Sequence, residues 1–114
     1  MAATGYKKGL LAESFAKLYF CLKGYRLLAE RFKTPVGEID LIVKRGRQLA
    51  FVEVKLRGTQ EEAAEAIHAK NQSRVRRAAE LYLQRHPEYT GLEFRFDALV
   101  LAPYAWPRHI RNAW

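Results

Sequence analysis

Three ionisable residues stand where a strand would ordinarily be apolar. Asp40 interrupts Gly37-Glu38-Ile39-Asp40-Leu41-Ile42-Val43, and Glu53 and Lys55 interrupt Leu49-Ala50-Phe51-Val52-Glu53-Val54-Lys55-Leu56. An unpaired charge inside such a run is costly, and buried charges persist when they are paired or hold a metal. Two carboxylates brought together on neighbouring strands could bind one Mg²⁺ (or Mn²⁺) through hard oxygen donors, with waters and a substrate phosphate completing the shell. Such a metal stabilises charge on a phosphorane and acidifies a bound water. Lys55 could orient or help deprotonate the attacking water, or neutralise the transition state. The bland counterpart is an ion pair of Lys55 with Glu53 or Asp40 on a sheet edge. An Asp, twelve residues and then Glu-x-Lys is a weak pattern by itself, because a charged chain matches it by chance.

The elements that must position these residues read as a single α/β domain over residues 1–114. From about Lys8 to Lys23 the chain has helical periodicity, with Leu11, Phe15, Leu18, Tyr19 and Leu22 on one stripe. Gly24 is a natural stop. A strand is predicted over Tyr25–Phe32, followed by turn chemistry at Thr34-Pro35-Val36-Gly37. Strands at Glu38–Val43 and Leu49–Leu56 are joined by Arg45-Gly46-Arg47, which suits a hairpin. A helical stretch begins near Gln60 and breaks around Ala69. A longer helix runs from about Lys70 to Arg85, with Val75, Ala78, Ala79 and Tyr82 on one face, and His86-Pro87 closes it. A last strand covers Glu93–Leu101, and the tail beyond it receives no element. Helix, three strands, helix and strand are most economically one sheet with helices packed on it. Alternation puts Glu38, Asp40 and Ile42 on one side of their strand, and Phe51, Glu53 and Lys55 on one side of the next. If the strands are neighbours, the acidic faces converge.

Charge favours a polyanionic partner. Twenty Lys and Arg against twelve Asp and Glu give +8, which attracts nucleic acid by Coulomb forces and counterion release. The alternative is a surface that is merely basic. Lys70, Arg74, Arg77 and Arg85 form a helical stripe with Arg76 beside it. Lys7, Lys8, Lys44, Arg45, Arg47 and Arg57 cluster near predicted loop ends. Such groups grip phosphates without reading bases. The single cysteine, Cys21, excludes an intramolecular disulfide, and its apolar neighbours predict burial. One cysteine and three scattered histidines make no zinc site. The lack of an apolar run long enough to span a bilayer, and of a signal-peptide core, points to a cytoplasmic protein with no membrane partner.

Two further residues could join the site. Gln72 shares a helix face with Ala79 and Leu83 and should point at the sheet, where a metal-bound water, a phosphate or backbone groups would satisfy its amide. Glu13 lies nearly opposite the apolar stripe with Lys17 one turn on, so a solvated Glu–Lys pair is favoured, although Ala16 and Phe20 share its side. Asp97, on the side of its strand that carries Arg95, reads as structural.

Taken together these motifs resemble the YraN-like, endonuclease-related family of bacterial proteins. The match comprises Gly37-Glu38-Ile39-Asp40-Leu41-Ile42 and Phe51-Val52-Glu53-Val54-Lys55. It extends to Gly9-x-x-x-Glu13 leading to Lys23-Gly24-Tyr25-Arg26, the Lys70–Ala79 helix, Arg95-Phe96-Asp97 and the closing Asn112-Ala113. It covers the chain from about Gly9 onward. The resemblance implies a restriction-endonuclease-like, Holliday-junction-resolvase-like fold, with a mixed central sheet of about four to five strands flanked by helices. It implies Asp40 and Glu53 as metal ligands, Lys55 as the catalytic lysine, and Glu13 and Gln72 as further site residues. A homodimer is implied too. The chain departs from the pattern at Leu56, where threonine is usual, and in a short loop after Arg57 that lacks Phe-Gly. Glu61, Glu62 and Glu65 add negative charge near the expected substrate entrance.

Three functions compete. The first is a nucleic-acid-binding, Mg²⁺-dependent endonuclease cutting DNA phosphodiester bonds, branched DNA included, with DNA favoured over RNA. Its binding residues are Lys44, Arg45, Arg47, Arg57, Lys70, Arg74 and Arg77. The second is a non-catalytic nucleic-acid-binding adaptor that keeps the nuclease fold. The third is a protein-interaction domain docking through Tyr104, Trp106 and Trp114.

Overall fold

The computed structural model describes the backbone of residues 2–66 and 69–114, and the side chains of residues 11–66 and 71–114. Helix α1 (Ala2–Leu22) leads into strands β1 (Arg26–Thr34), β2 (Gly37–Arg45) and β3 (Gln48–Leu56). A short helix α2 (Gln60–Glu65) and a long helix α3 (Ala69–Arg85) follow. Strand β4 (Glu93–Leu101) and a short β5 (Arg108–Ile110) complete the chain. The five strands form one sheet in the order β1-β2-β3-β4-β5. β1, β2 and β3 are an antiparallel meander, β4 runs parallel to β3, and β5 is antiparallel to β4. A parallel pair needs a long crossover, and the α2–α3 segment supplies it. The architecture is therefore the mixed α/β sheet flanked by helices that the sequence predicts.

The two helical layers cover opposite faces of the sheet. Ala16 and Phe20 of α1 pack with Tyr25 on Leu41, Val43, Ala50, Val52, Leu99 and Leu101. Val75, Ala78, Ala79 and Tyr82 of α3 pack on Ile39, Ile42, Leu49 and Phe51. Burial on both faces explains why β2 and β3 read as nearly continuous apolar runs. The hairpin between them turns at Gly46, whose φ of +60° suits a residue without Cβ.

Four expectations need correction. The stripe of Leu11, Phe15, Leu18 and Leu22 faces outward, and Glu13, Ala16 and Phe20 face inward. Small Ala16 lets α1 approach the sheet closely, so α1 packs by its narrower apolar side. Cys21 is exposed on that outer surface. Strict alternation also fails in β2. Ile39 and Ile42 both face α3, whereas Leu41 and Val43 face α1. The switch falls at Asp40. The flanking pairs Glu30↔Leu41 and Phe32↔Ile39 place Arg31 opposite it, and Arg31 adopts a left-handed φ of +49°, an uncommon conformation for a residue with Cβ. Finally, the tail is structured: β5 joins the sheet, and Trp114 packs on Phe96 while the Ala113 N–H donates to the Phe96 carbonyl at 2.7 Å.

Candidate active site in an acidic cleft

Between the sheet and α3 lies a cleft of about 270 Å³ lined by Glu38, Asp40, Val52, Glu53, Asn71, Arg74 and Val75. Its wall depends on a close backbone approach. A Cβ built on Gly37 would lie 2.3 Å from the Arg74 carbonyl oxygen, so only glycine lets the β1–β2 turn rest on α3. Thr34 ties that turn. Its hydroxyl donates to the Gly37 carbonyl at 2.8 Å and accepts from the Gly37 and Val36 N–H groups at 3.0 and 3.2 Å. The turn thereby sets Glu38 and Asp40 against Arg74.

Asp40 sits where the β2–β3 ladder stops. The last paired residues are Leu41 and Val52. Beyond them the Val54 N–H donates to Asp40 Oδ2 at 2.7 Å, a side chain replacing a backbone acceptor. Glu53 is buried at 6% exposure. Its Oε1 lies 3.2 Å from Lys55 Nζ, and its Oε2 is buried with no hydrogen-bond partner. Burial pushes the Asp40 carboxyl up to about 6; Glu53 and Glu38 add to the rise, while the Val54 N–H and Lys55 oppose it. The cleft is thus a desolvated concentration of negative charge with unfilled acceptor capacity.

A divalent cation would answer both features. Among the described residues no three His, Cys, Asp or Glu side chains form a complete cage. Mg²⁺ does not require one, because it binds through one or two carboxylates and keeps its waters. The orphaned Glu53 Oε2 and the desolvated Asp40 carboxyl supply hard oxygen donors of that kind, so the residues fit the ion.

The structure brings Asp40, Glu53 and Lys55 to one region and leaves other expected residues apart. Asn71, one position before Gln72, lines the cleft, and Gln72 is half-buried outside its lining. Both amides lie in the first turn of α3, and the one nearer Val75 along the cleft is Asn71. Glu13 is half-buried but pairs with Arg31 at 2.6 Å, and Lys17 pairs with Glu30 at 2.8 Å, so no Glu13–Lys17 pair forms. Through Arg31, opposite Asp40, Glu13 braces the strand beside the cleft. Arg74 lines the cleft and Arg77 flanks the neighbouring groove. Lys44, Arg45 and Arg47 lie at the far hairpin end, roughly 15 Å along the strand from Asp40. Arg45 donates to the Lys23 carbonyl, and Arg47 to the Gly91 carbonyl. Arg57 is exposed just past β3. The side chains of Lys70, Lys7 and Lys8 lie outside the described residues. Glu61 and Glu62 occupy the first turn of α2, where Thr59 caps the Glu62 N–H at 3.1 Å. Acids there are favoured by the helix dipole, and they do not line the cleft.

Asp97 is structural, as the sequence suggested. Its side chain is fully buried and accepts from Arg95 Nη2 at 2.9 Å, from Arg95 Nε at 3.2 Å and from the Asn112 N–H at 2.9 Å. It also pairs with His109 Nε2 at 2.7 Å. Burial alone would raise its pKa, but the His109, Arg95 and Asn112 hydrogen bonds outweigh burial and hold it below the ordinary carboxylate value.

Comparison with known proteins places these residues in a family. Residues 12–101 match the model of the uncharacterised protein family UPF0102. A UPF0102 protein of Parvibaculum lavamentivorans is 52% identical over 115 aligned positions, covering 98% of this chain and 86% of that protein. One from Methylorubrum extorquens is 56% identical over 106 positions, covering 93% and 83%. One from Nitrobacter winogradskyi is 48% identical over 113 positions, covering 99% and 96%.

Proposed function

The chain belongs to the uncharacterised protein family UPF0102, and we propose that it is a cytoplasmic nucleic-acid-binding protein of the restriction-endonuclease-like class, a Mg²⁺-dependent endonuclease cutting DNA phosphodiester bonds. The observation that carries this is the pairing of a desolvated Asp40 with an unpartnered Glu53 Oε2 in one cleft bordered by arginine.

Asp40 and Glu53 would hold the ion, which supplies charge neutralisation and an acidified water when bound. Arg74 binds a phosphate oxygen entering the cleft, and Arg77 continues that contact along α3. Asn71 offers an amide donor and acceptor to a phosphate or a water. Lys55, paired with Glu53 at the border of the cleft, stabilises developing negative charge. The +8 chain favours the polyanion at long range. A second function, a binding module that keeps the fold without turnover, is favoured by one observation. Lys55 already has a partner in Glu53, and an ion pair is self-sufficient.

The test is cleavage of fluorescent single-stranded, duplex and four-way-junction DNA by wild type and Asp40→Ala, with Mg²⁺, Mn²⁺ or EDTA. The nuclease requires metal-dependent cutting that falls at least ~100-fold in the variant while binding persists. Binding without metal-dependent cutting would select the adaptor. Arg74→Ala should weaken binding and reduce the salt slope by about one, whereas Arg47→Ala should change neither.

A further inference from the structure

The outer face of α1 is a broad apolar surface that the cleft chemistry leaves unused. Between residues 11 and 22 it presents Leu11, Ser14, Phe15, Leu18, Cys21 and Leu22, with no charged side chain. The two charged residues of this stretch, Glu13 and Lys17, turn away to ion pairs with β1. Leu11 is 70% exposed, Phe15 46%, Leu18 56% and Leu22 78%. Beside this ridge runs an apolar groove of about 590 Å³ between α1 and the segment after β4, lined by Phe15, Leu18, Leu56, Leu101, Pro103 and Pro107. A second groove of about 260 Å³ continues it past Trp106, itself 90% exposed, to Leu22.

We propose that this face is the contact between two copies of the chain, with the α1 helices antiparallel across a two-fold axis. Leu11, Phe15, Leu18 and Leu22 recur at intervals of four, three and four residues, the spacing of a helix–helix seam. An isologous contact must be complementary to itself. Here the two-fold sets the ridges against each other, Leu11 opposite Leu22 and Phe15 opposite Leu18, and the grooves beside them flank the seam on both sides. The exposed parts of these four residues and Trp106 total on the order of 700 Å², close to the ~800 Å² each partner of a stable complex buries and above what a monomer ordinarily exposes. Two copies at +8 repel each other, so their contact favours an uncharged face. Because α1 and α3 cover opposite faces of the sheet, this contact leaves both acidic clefts open. None of this depends on the clefts being catalytic.

The test is sedimentation equilibrium of the full chain, wild type against Leu18→Glu and Leu22→Glu. Each substitution enters the contact twice and adds like charge where apolar surface was buried. Both residues are exposed in the single copy, and circular dichroism checks that each variant keeps its fold. Wild type should sediment at twice the 13.2 kDa chain mass, and both variants should dissociate with a constant raised at least ~100-fold. Trp106→Ala, outside α1 but on the groove beside it, should weaken the dimer without altering the helix signal. A wild-type monomer at about 100 µM, a weak range for any stable complex, would overturn the proposal. So would a dimer indifferent to all three substitutions, or a monomer that instead floats with phosphatidylglycerol vesicles.

Discussion

Asp40 and Asp97 are both carboxylates set in the same sheet, and they have opposite surroundings. Asp97 lies on the α1 side and is met by Arg95, His109 and the Asn112 N–H. Asp40 borders the α3 side, with one backbone donor and with Glu53 and Glu38 for neighbours. The first has its pKa held down and the second has it pushed up. A buried charge met by donors specifies a fold, and carboxylates crowded together in a cleft make the candidate for a binding site. The type of residue is identical, so only its partners separate the two roles.

The widest gap between the regions should appear on truncation. Asp97→Ala leaves Arg95 and His109 without their shared partner, and stability should fall by about 3–5 kcal/mol. A melt would read this as a drop of roughly 10–20 °C; an unchanged melting temperature would end the distinction drawn here. Gly37→Ala should cost about 1–3 kcal/mol, because the new Cβ meets the Arg74 carbonyl and pushes the β1–β2 turn off α3. The cleavage proposed above should fall with it, and a variant of wild-type stability would show that the cleft wall does not rest on this contact.

Asp40→Asn should have the smallest effect and the opposite sign. Asp40 ionises near 3.8 in the unfolded chain and at about 6 in the folded one. Between those values the unfolded state is the more ionised, so raising the pH through the window destabilises the fold. The cost is absent below the window and complete above it. Asparagine removes that cost and keeps an oxygen for the Val54 N–H. At pH 7 in EDTA the variant should be more stable by about 1–2 kcal/mol, the pKa rise discounted for a weaker acceptor. Below pH 4 the gain should vanish. Asp97 behaves inversely: its contribution is present above the ordinary carboxylate value and is lost as the pH falls through its lower folded one. Denaturant unfolding across pH 3–8 would separate the two slopes, and a variant less stable than wild type at pH 7 would contradict the Asp40 environment described.

Much of this was legible in the residues. Apolar runs bounded by Gly37 and Gly46 located the central strands. Val75, Ala78, Ala79 and Tyr82 gave the buried face of α3 correctly, because that helix has one apolar face and its short-range period shows it. The Asp40, Glu53 and Lys55 grouping followed from charges standing in strands that should be dry. What failed shared one cause. α1 carries two apolar sides, and its own sequence does not say which one the sheet will accept. Asn71 and Gln72 are adjacent amides, and a single residue of helix phase decides which enters the cleft. Asp40 breaks the alternation of β2 because it lies opposite a left-handed Arg31 on another strand.

The sequence by itself determined the elements, the mixed α/β class, the family and the grouping of Asp40, Glu53 and Lys55, since those depend on local spacing and residue type. Tertiary structure alone decided that Asp97 is ringed by donors while Asp40 stands beside an unpartnered Glu53 Oε2, that Glu13 braces β1, and that the leucines of α1 remain outside. Each of those depends on which surfaces meet, and the partners that settle it lie far apart along the chain.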